Sequence, residues 1–314
     1  MKKVFLAAVA ATALCTTSAL AADLKPIVKA PVAPVAAPSP WDFAVGGALM
    51  TDYNFRGISQ SNRGASGTVY EETRYNVVPD WQLYVGSQYW SVALPTNPSC
   101  ECDLYGGIRP TFGPVAFDFG FIYYWYPRER QVFLDAAGHG VLANTGNIWT
   151  LRDTDYYEGY GKVTYEAMKD RLSFGANFYY SPDWLNTGAY GAYGSVTAKV
   201  SGPAVKVNIG PVDELGWYLS GEFGHYWLGT TDLILGSVNL PDYNTWNLGL
   251  AITYKTFTFD FRYYDTDLSK TECFTLTGDL RGLNGGGGDL GSSNWCNSAF
   301  VFAAKFDITG ANLK

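Results

Sequence analysis

From Trp41 onward, apolar and polar residues alternate with a period of two, in runs about twice as long as the usual soluble strand. Phe257, Phe259, Phe261 and Tyr263 interleave with Thr258, Asp260 and Arg262; Val115, Phe117, Phe119, Phe121 and Tyr123 with Ala116, Asp118 and Gly120. Leu172 to Tyr180, Trp246 to Tyr254 and Phe300 to Ile308 repeat the pattern. Successive side chains of a strand point to opposite faces, so each run has one apolar face and one face of Gly, Ser, Thr, Asn and charges. The spacing predicts about twelve strands, near 41–52, 67–77, 81–92, 102–110, 115–126, 155–166, 171–181, 189–200, 215–228, 243–254, 257–266 and 298–308. Ten to twelve residues is the length a tilted strand needs to cross a bilayer.

The connections divide by parity. Residues 78–80, 111–114, 167–170 and 255–256 are short turns, whereas 53–66, 93–101, 127–154, 229–242 and 267–297 are long loops. Two connections break the rule: 201–214 is long for a turn, and 182–188 short for a loop. Turns at one end and loops at the other are the layout of an outer-membrane barrel with both termini in the periplasm. A soluble β-sandwich would need a second apolar face, and the opposite positions are polar. Aromatic residues make up 16% of the chain, and Trp81, Trp90, Trp125, Tyr126, Tyr180, Trp227, Trp246, Tyr254 and Tyr263 fall near predicted strand ends, where a headgroup belt is expected. The expected fold is therefore all-β: a transmembrane, antiparallel, up-and-down β-barrel over residues 41–314.

Residues 1–21 read as a secretory signal peptide: Lys2-Lys3, an apolar run from Val4 to Leu14, and small residues up to Ala21. Residues 22–40, with Pro26, Pro31, Pro34, Pro38 and Pro40, read as a disordered Pro/Ala-rich periplasmic linker. At about 3.1 Å per residue it reaches up to roughly 60 Å, enough to make peptidoglycan a candidate partner. Without residues 1–21 the chain carries 20 basic and 29 acidic residues, a net of −9. An acidic chain with no basic cluster argues against nucleic acid. The expected partners are outer-membrane lipid, lipopolysaccharide and the barrel assembly machinery.

The run Thr51-Asp52-Tyr53-Asn54-Phe55-Arg56-Gly57-Ile58-Ser59-Gln60 closes the first predicted strand. With Asp103-Leu104-Tyr105-Gly106-Gly107 and Phe261-Arg262-Tyr263-Tyr264-Asp265-Thr266-Asp267, it makes the chain resemble the TorF family of porin-like outer-membrane proteins, over about residues 41–308. The resemblance implies location and barrel architecture more than a transported solute.

The inward face carries the residues expected to line a pore: Arg109, Asp118, Glu222, Lys255, Asp260 and Arg262. Arg74, Asp103, Arg171, Lys199, Lys305 and Asp307 share their parity. Charges on a lumen wall order water and bias ion passage, or pair across strands and hold the wall. In the mouth motif, Arg56 is expected either to fold into the mouth or to pair with Asp52 and pin the first loop. Cys273 and Cys296 are expected to form a disulfide in the last loop, worth about 3 kcal/mol by loop entropy. Cys100 and Cys102 can pair with each other or with the later cysteines. Of the two histidines, His139 reads as a loop residue, and His225 as an interfacial one with no local serine to make a lipid-cleaving pair. Neither a cofactor nor a metal is expected, nor a catalytic site. The leading expectation is passive diffusion of ions or small hydrophilic solutes. A non-conducting structural or adhesion barrel is the alternative, and a lipid-modifying enzyme at the rim the third reading.

Overall fold

Twelve antiparallel strands close on themselves in a computed structural model that describes residues 39–134, 140–141, 147–210, 212–283 and 291–313. They are β1 Trp41–Met50, β2 Ser66–Val78, β3 Trp81–Trp90, β4 Glu101–Phe112, β5 Val115–Trp125 and β6 Tyr156–Met168. There follow β7 Leu172–Ser181, β8 Gly191–Ser201, β9 Val212–Leu228, β10 Tyr243–Tyr254, β11 Phe257–Thr266 and β12 Ala299–Thr309. Each pairs with its sequence neighbours, and β12 returns to β1 in the register Ala44↔Thr309 to Met50↔Ala303, so the twelve strands form a closed barrel. The expected signal peptide, residues 22–38 of the linker, His139 and Gly285–Gly288 lie outside the described residues.

The parity of connections holds, and its first exception has a structural reason. Within 201–214, Val205–Ile209 pairs with the start of β9 (Val205↔Leu215, Ile209↔Val212), so the long turn is a hairpin that prolongs the wall. Along the strands, one face points out and is apolar: Phe257, Phe259 and Phe261, with Leu248 and Val196, are exposed. Among the described strand residues, Glu71 is the carboxylate that faces outward at mid-height, and it accepts from Ser87 Oγ at 3.0 Å. An apolar outer wall with every backbone group paired is the condition for a β-structure in lipid.

Three sequence expectations need correction. Trp90 and Tyr126 do not join an outer belt: Trp90 points into the lumen and stacks on Tyr53 at 4.0 Å, and Tyr126 is buried among the loops. The parity of β3 puts Tyr89, not Trp90, outside. The inward face is also less uniformly polar than expected, because toward the loop end Tyr124, Tyr156, Tyr193, Tyr226 and Tyr243 fill it. Arg171 is exposed in the turn before β7 and belongs to neither face.

The outward assignment can be tested at Val196, which is 59% exposed in the middle of β8. In lipid vesicles Val196→Arg is expected to lower unfolding stability by about 2–4 kcal/mol, the cost of a cation at the bilayer midplane. Urea titration would check this. A change within about 0.5 kcal/mol, as on a water-facing sheet, would contradict the lipid-facing wall.

Candidate functional site

The first loop turns back into the barrel. Asn54-Phe55 pairs with Ile58-Ser59, leaving Arg56 (φ +49°) and Gly57 (φ +89°) as a two-residue turn in left-handed conformation. Glycine takes this conformation freely; an arginine does so at a cost of about 1–2 kcal/mol. The turn is held because of what Arg56 reaches. Its Nη1 and Nη2 each donate to the Glu158 carboxylate of β6 at 2.7 Å, and Tyr124 donates to the same carboxylate at 2.9 Å. Phe55, Tyr179, Tyr193 and Tyr226 surround the guanidinium with ring centroids 4.5 to 4.9 Å away. Tyr243 donates to the Arg56 carbonyl. Burial works against the Arg56 charge, but the Glu158 carboxylate outweighs it and holds the guanidinium above its ordinary pKa.

The expected Asp52–Arg56 pair is therefore not formed. Asp52 accepts instead from Ser59 and Ser61 at 2.6 and 2.9 Å, and from Arg63 at 3.4 Å, within its own loop. The left-handed turn sends Arg56 across the barrel, away from Asp52.

The last loop lies over the first. Its helix α1, Lys270–Thr277, starts on a capping box of Ser269 and Glu272, and the Cys273–Cys296 disulfide ties it to the segment before β12. From that segment Trp295 accepts the Ser59 N–H through its carbonyl and donates its indole N–H to Asn62, while Arg63 donates to Asn294. Cys273, Leu276, Trp295 and Cys296 share one buried cluster with Ile58 and the lumen tyrosines. Cys100 and Cys102 also form a disulfide, with each other.

Below this seal the lumen holds two cavities, about 600 Å³ at the turn end and about 720 Å³ under the Arg56 turn. Both are walled by Tyr53, Trp90, Asp260, Arg262 and Lys305, so they run into one another. Arg109, Asp118 and Glu222 line the inner cavity and Lys255 the outer, with Asp260 and Arg262 at the join.

Most of these charges are paired. Arg109 donates twice to Glu72 (2.7 and 2.9 Å), once to Asp118 (3.4 Å), and lies 3.6 Å over the Tyr84 ring. Tyr84 donates to Asp118, and Arg74 donates to Glu72 at 2.5 Å. Arg262 and Lys305 share Asp260 at 3.3 and 3.1 Å, and Arg262 also donates to Asn247. Glu222 accepts from Tyr193 and Asn247. Charges of both signs, paired with one another, thus line both cavities.

Sequence reasoning missed Glu72, Glu158 and Lys162. Glu72 shares the parity of Arg74 and was legible. Glu158 and Lys162 were obscured because Gly159 and Gly161 occupy the outward positions of β6, so its alternation is faint. His225, outward near the loop end, has Asn244 Oδ1 2.8 Å from its Nδ1, where a lipid-cleaving pair would need a serine.

The sequence profile of Gcw_chp, described as a bacterial protein of unknown function, matches residues 35–296. No curated protein sequence matches the chain. Among solved structures, similarity is found to an outer-membrane channel from Pseudomonas putida F1 (9% identity, 90% of this chain and 100% of that one, TM-score 0.41). It is found also to the outer-membrane protein OmpT of Vibrio cholerae (10%, 85% and 98%, 0.33) and to LpxR from Salmonella typhimurium (9%, 84% and 99%, 0.37).

Proposed function

We propose that this chain, which belongs to the Gcw_chp family of bacterial proteins, is an outer-membrane channel for ions or small hydrophilic solutes, closed at its outer mouth by its own first loop. The observation that carries this reading is the pair of adjoining cavities, lined by charge and running from the turn end to the underside of the Arg56 turn. A wall built only to hold a barrel together is filled by side chains; this one keeps room for water and solute. The apolar outer wall and the split between turns and loops support insertion in the outer membrane, with the turns in the periplasm. The signal-like start and the resemblance to TorF porins support the same location. On this reading Arg109, Asp118, Glu222, Asp260 and Arg262 line the path, and Lys255 stands at its periplasmic entrance. The Asn54–Ser59 hairpin is the gate, held by the Arg56–Glu158 ion pair, the rings around the guanidinium and the hydrogen bond from Ser59 to the last loop.

Conductance of the refolded protein in a planar bilayer tests this. Replacing Asn54–Ser59 with a Gly-Gly link is expected to raise conductance several-fold over wild type. In that background, Asp260→Ala with Arg262→Ala should shift ion selectivity. The buried aromatic cluster at the loop end favours a second reading, a non-conducting structural barrel. Silence from both wild type and the hairpin deletion, with both proteins inserted and folded, would decide for it.

A further inference from the structure

The acids of the lumen are not all treated alike. Glu72, Asp118, Glu158 and Asp260 each meet an arginine or lysine. Glu101 accepts from two tyrosine hydroxyls and Glu222 from a tyrosine hydroxyl and an amide, and among the described residues neither these two nor Asp103 has an ion-pair partner. Asp103 is the extreme case. It is 3% exposed, lines the inner cavity, and its Oδ1 has no hydrogen-bond partner. Burying a carboxylate oxygen with nothing to meet it is costly, and such groups in a native fold call for a partner.

The surroundings say what kind of partner. Asp103 and Trp90 line the same cavity from adjacent strands, Asp103 opposite Gln88 and Glu101 opposite Trp90, and Trp90 stacks on Tyr53 with the rings 6° from parallel. Tyr53 in turn donates to Glu101 at 2.5 Å. Two carboxylates thus flank a stacked aromatic pair that borders the cavity. Carboxylate together with aromatic ring is the chemistry that holds a flat organic cation, by a charge-assisted fork and by cation–π attraction. On the hairpin side of the same cavity, Asn54 Nδ2 is a second buried polar atom without a partner.

We propose that the inner cavity binds a small organic cation of the guanidinium or ammonium class, with Asp103 as its ion-pair partner and Trp90 and Tyr53 as its aromatic wall. This deepens the channel reading and rests on it only for the route by which the cation arrives, from the turn end through the outer cavity. It makes Asp103 the residue that sets preference for cationic solutes, while the paired charges below it build the passage.

Binding is measurable without conduction. In a saturation-transfer NMR titration of the refolded protein in detergent, methylguanidinium is expected to give a saturable signal. Methylurea, nearly the same shape without the charge, is expected to give none. Asp103→Asn keeps the side-chain volume and removes the buried charge, so the barrel should fold, with a heat-shifted gel mobility as the check. Its affinity should fall about tenfold or more, the loss expected for a charged hydrogen-bond partner. Glu129→Gln, in an outer loop, should bind as wild type does. No saturable binding by wild type, equal binding of methylurea, or unchanged affinity in Asp103→Asn would each overturn the proposal. Binding without conductance in any variant would leave the cation site standing and remove the channel; conductance without binding would do the reverse.

Discussion

Glu158→Ala is expected to destabilise the barrel by about 3–5 kcal/mol, the loss typical when one member of a buried ion pair is removed. Glu158 is 0% exposed and the Arg56 side chain 6%, so the guanidinium left behind stays buried and loses its charge partner. The four rings around it offset part of that loss and no more, since each cation–π contact contributes about 0.5–2 kcal/mol and all were present beforehand. The paired change Arg56→Met with Glu158→Met should recover most of the stability, because an apolar pair of similar volume carries no desolvation cost. Urea unfolding in lipid vesicles, followed by tryptophan fluorescence, checks both. If the double variant lost as much as the two single variants together, the ion pair would not be what holds the turn.

Removing the Cys273–Cys296 bond should have an effect nearly as large, in a different place. Its two cysteines are 0% and 1% exposed and are 23 residues apart in sequence, which corresponds to about 3 kcal/mol of loop-closure entropy. The strands do not depend on that bond for their pairing, so the cost falls on the last loop and on its grip over Ser59, Asn62 and Arg63. In Cys273→Ala with Cys296→Ala, proteolysis within 267–298 should accelerate about a hundredfold, that free energy expressed as an opening equilibrium. The heat-shifted mobility of the barrel should survive. Unchanged proteolysis would mean that the cluster around Trp295 holds the loop unaided.

The barrel wall was legible because its physics is local. Period two decides which face a residue takes, and strand length follows from the thickness to be crossed, so β5, β10 and β11 could be placed from Phe119, Leu248 or Phe259 alone. The lumen faces of Arg109, Asp118, Asp260 and Arg262 came with them, as did the cysteine pair in the last loop. The inturned Asn54–Ser59 hairpin was not legible. It depends on a turn at Arg56-Gly57 meeting Glu158, 102 positions away in sequence, and parity says nothing about where a loop goes. Trp90 and Tyr126 misled for a related reason: an aromatic ring near a strand end suits a lipid interface and a packed mouth equally. What separates these is whether a loop returns over the opening, which no short window of sequence shows.

The pairing of β12 with β1 has a consequence for how the molecule is made. The eleven hairpin-like steps each join strands adjacent in the chain, but the closing seam joins residues such as Val45 and Ile308, more than 260 positions apart. Synthesis runs from the amino end, so β1 is made first and waits for its second partner until the final strand arrives. Throughout that interval a growing sheet presents two raw borders, each a template for wrong partners. The apolar outer wall forbids shelter in water and the unclosed borders forbid shelter in lipid. Only when the last strand is sewn to the first does the wall become a surface that lipid can surround.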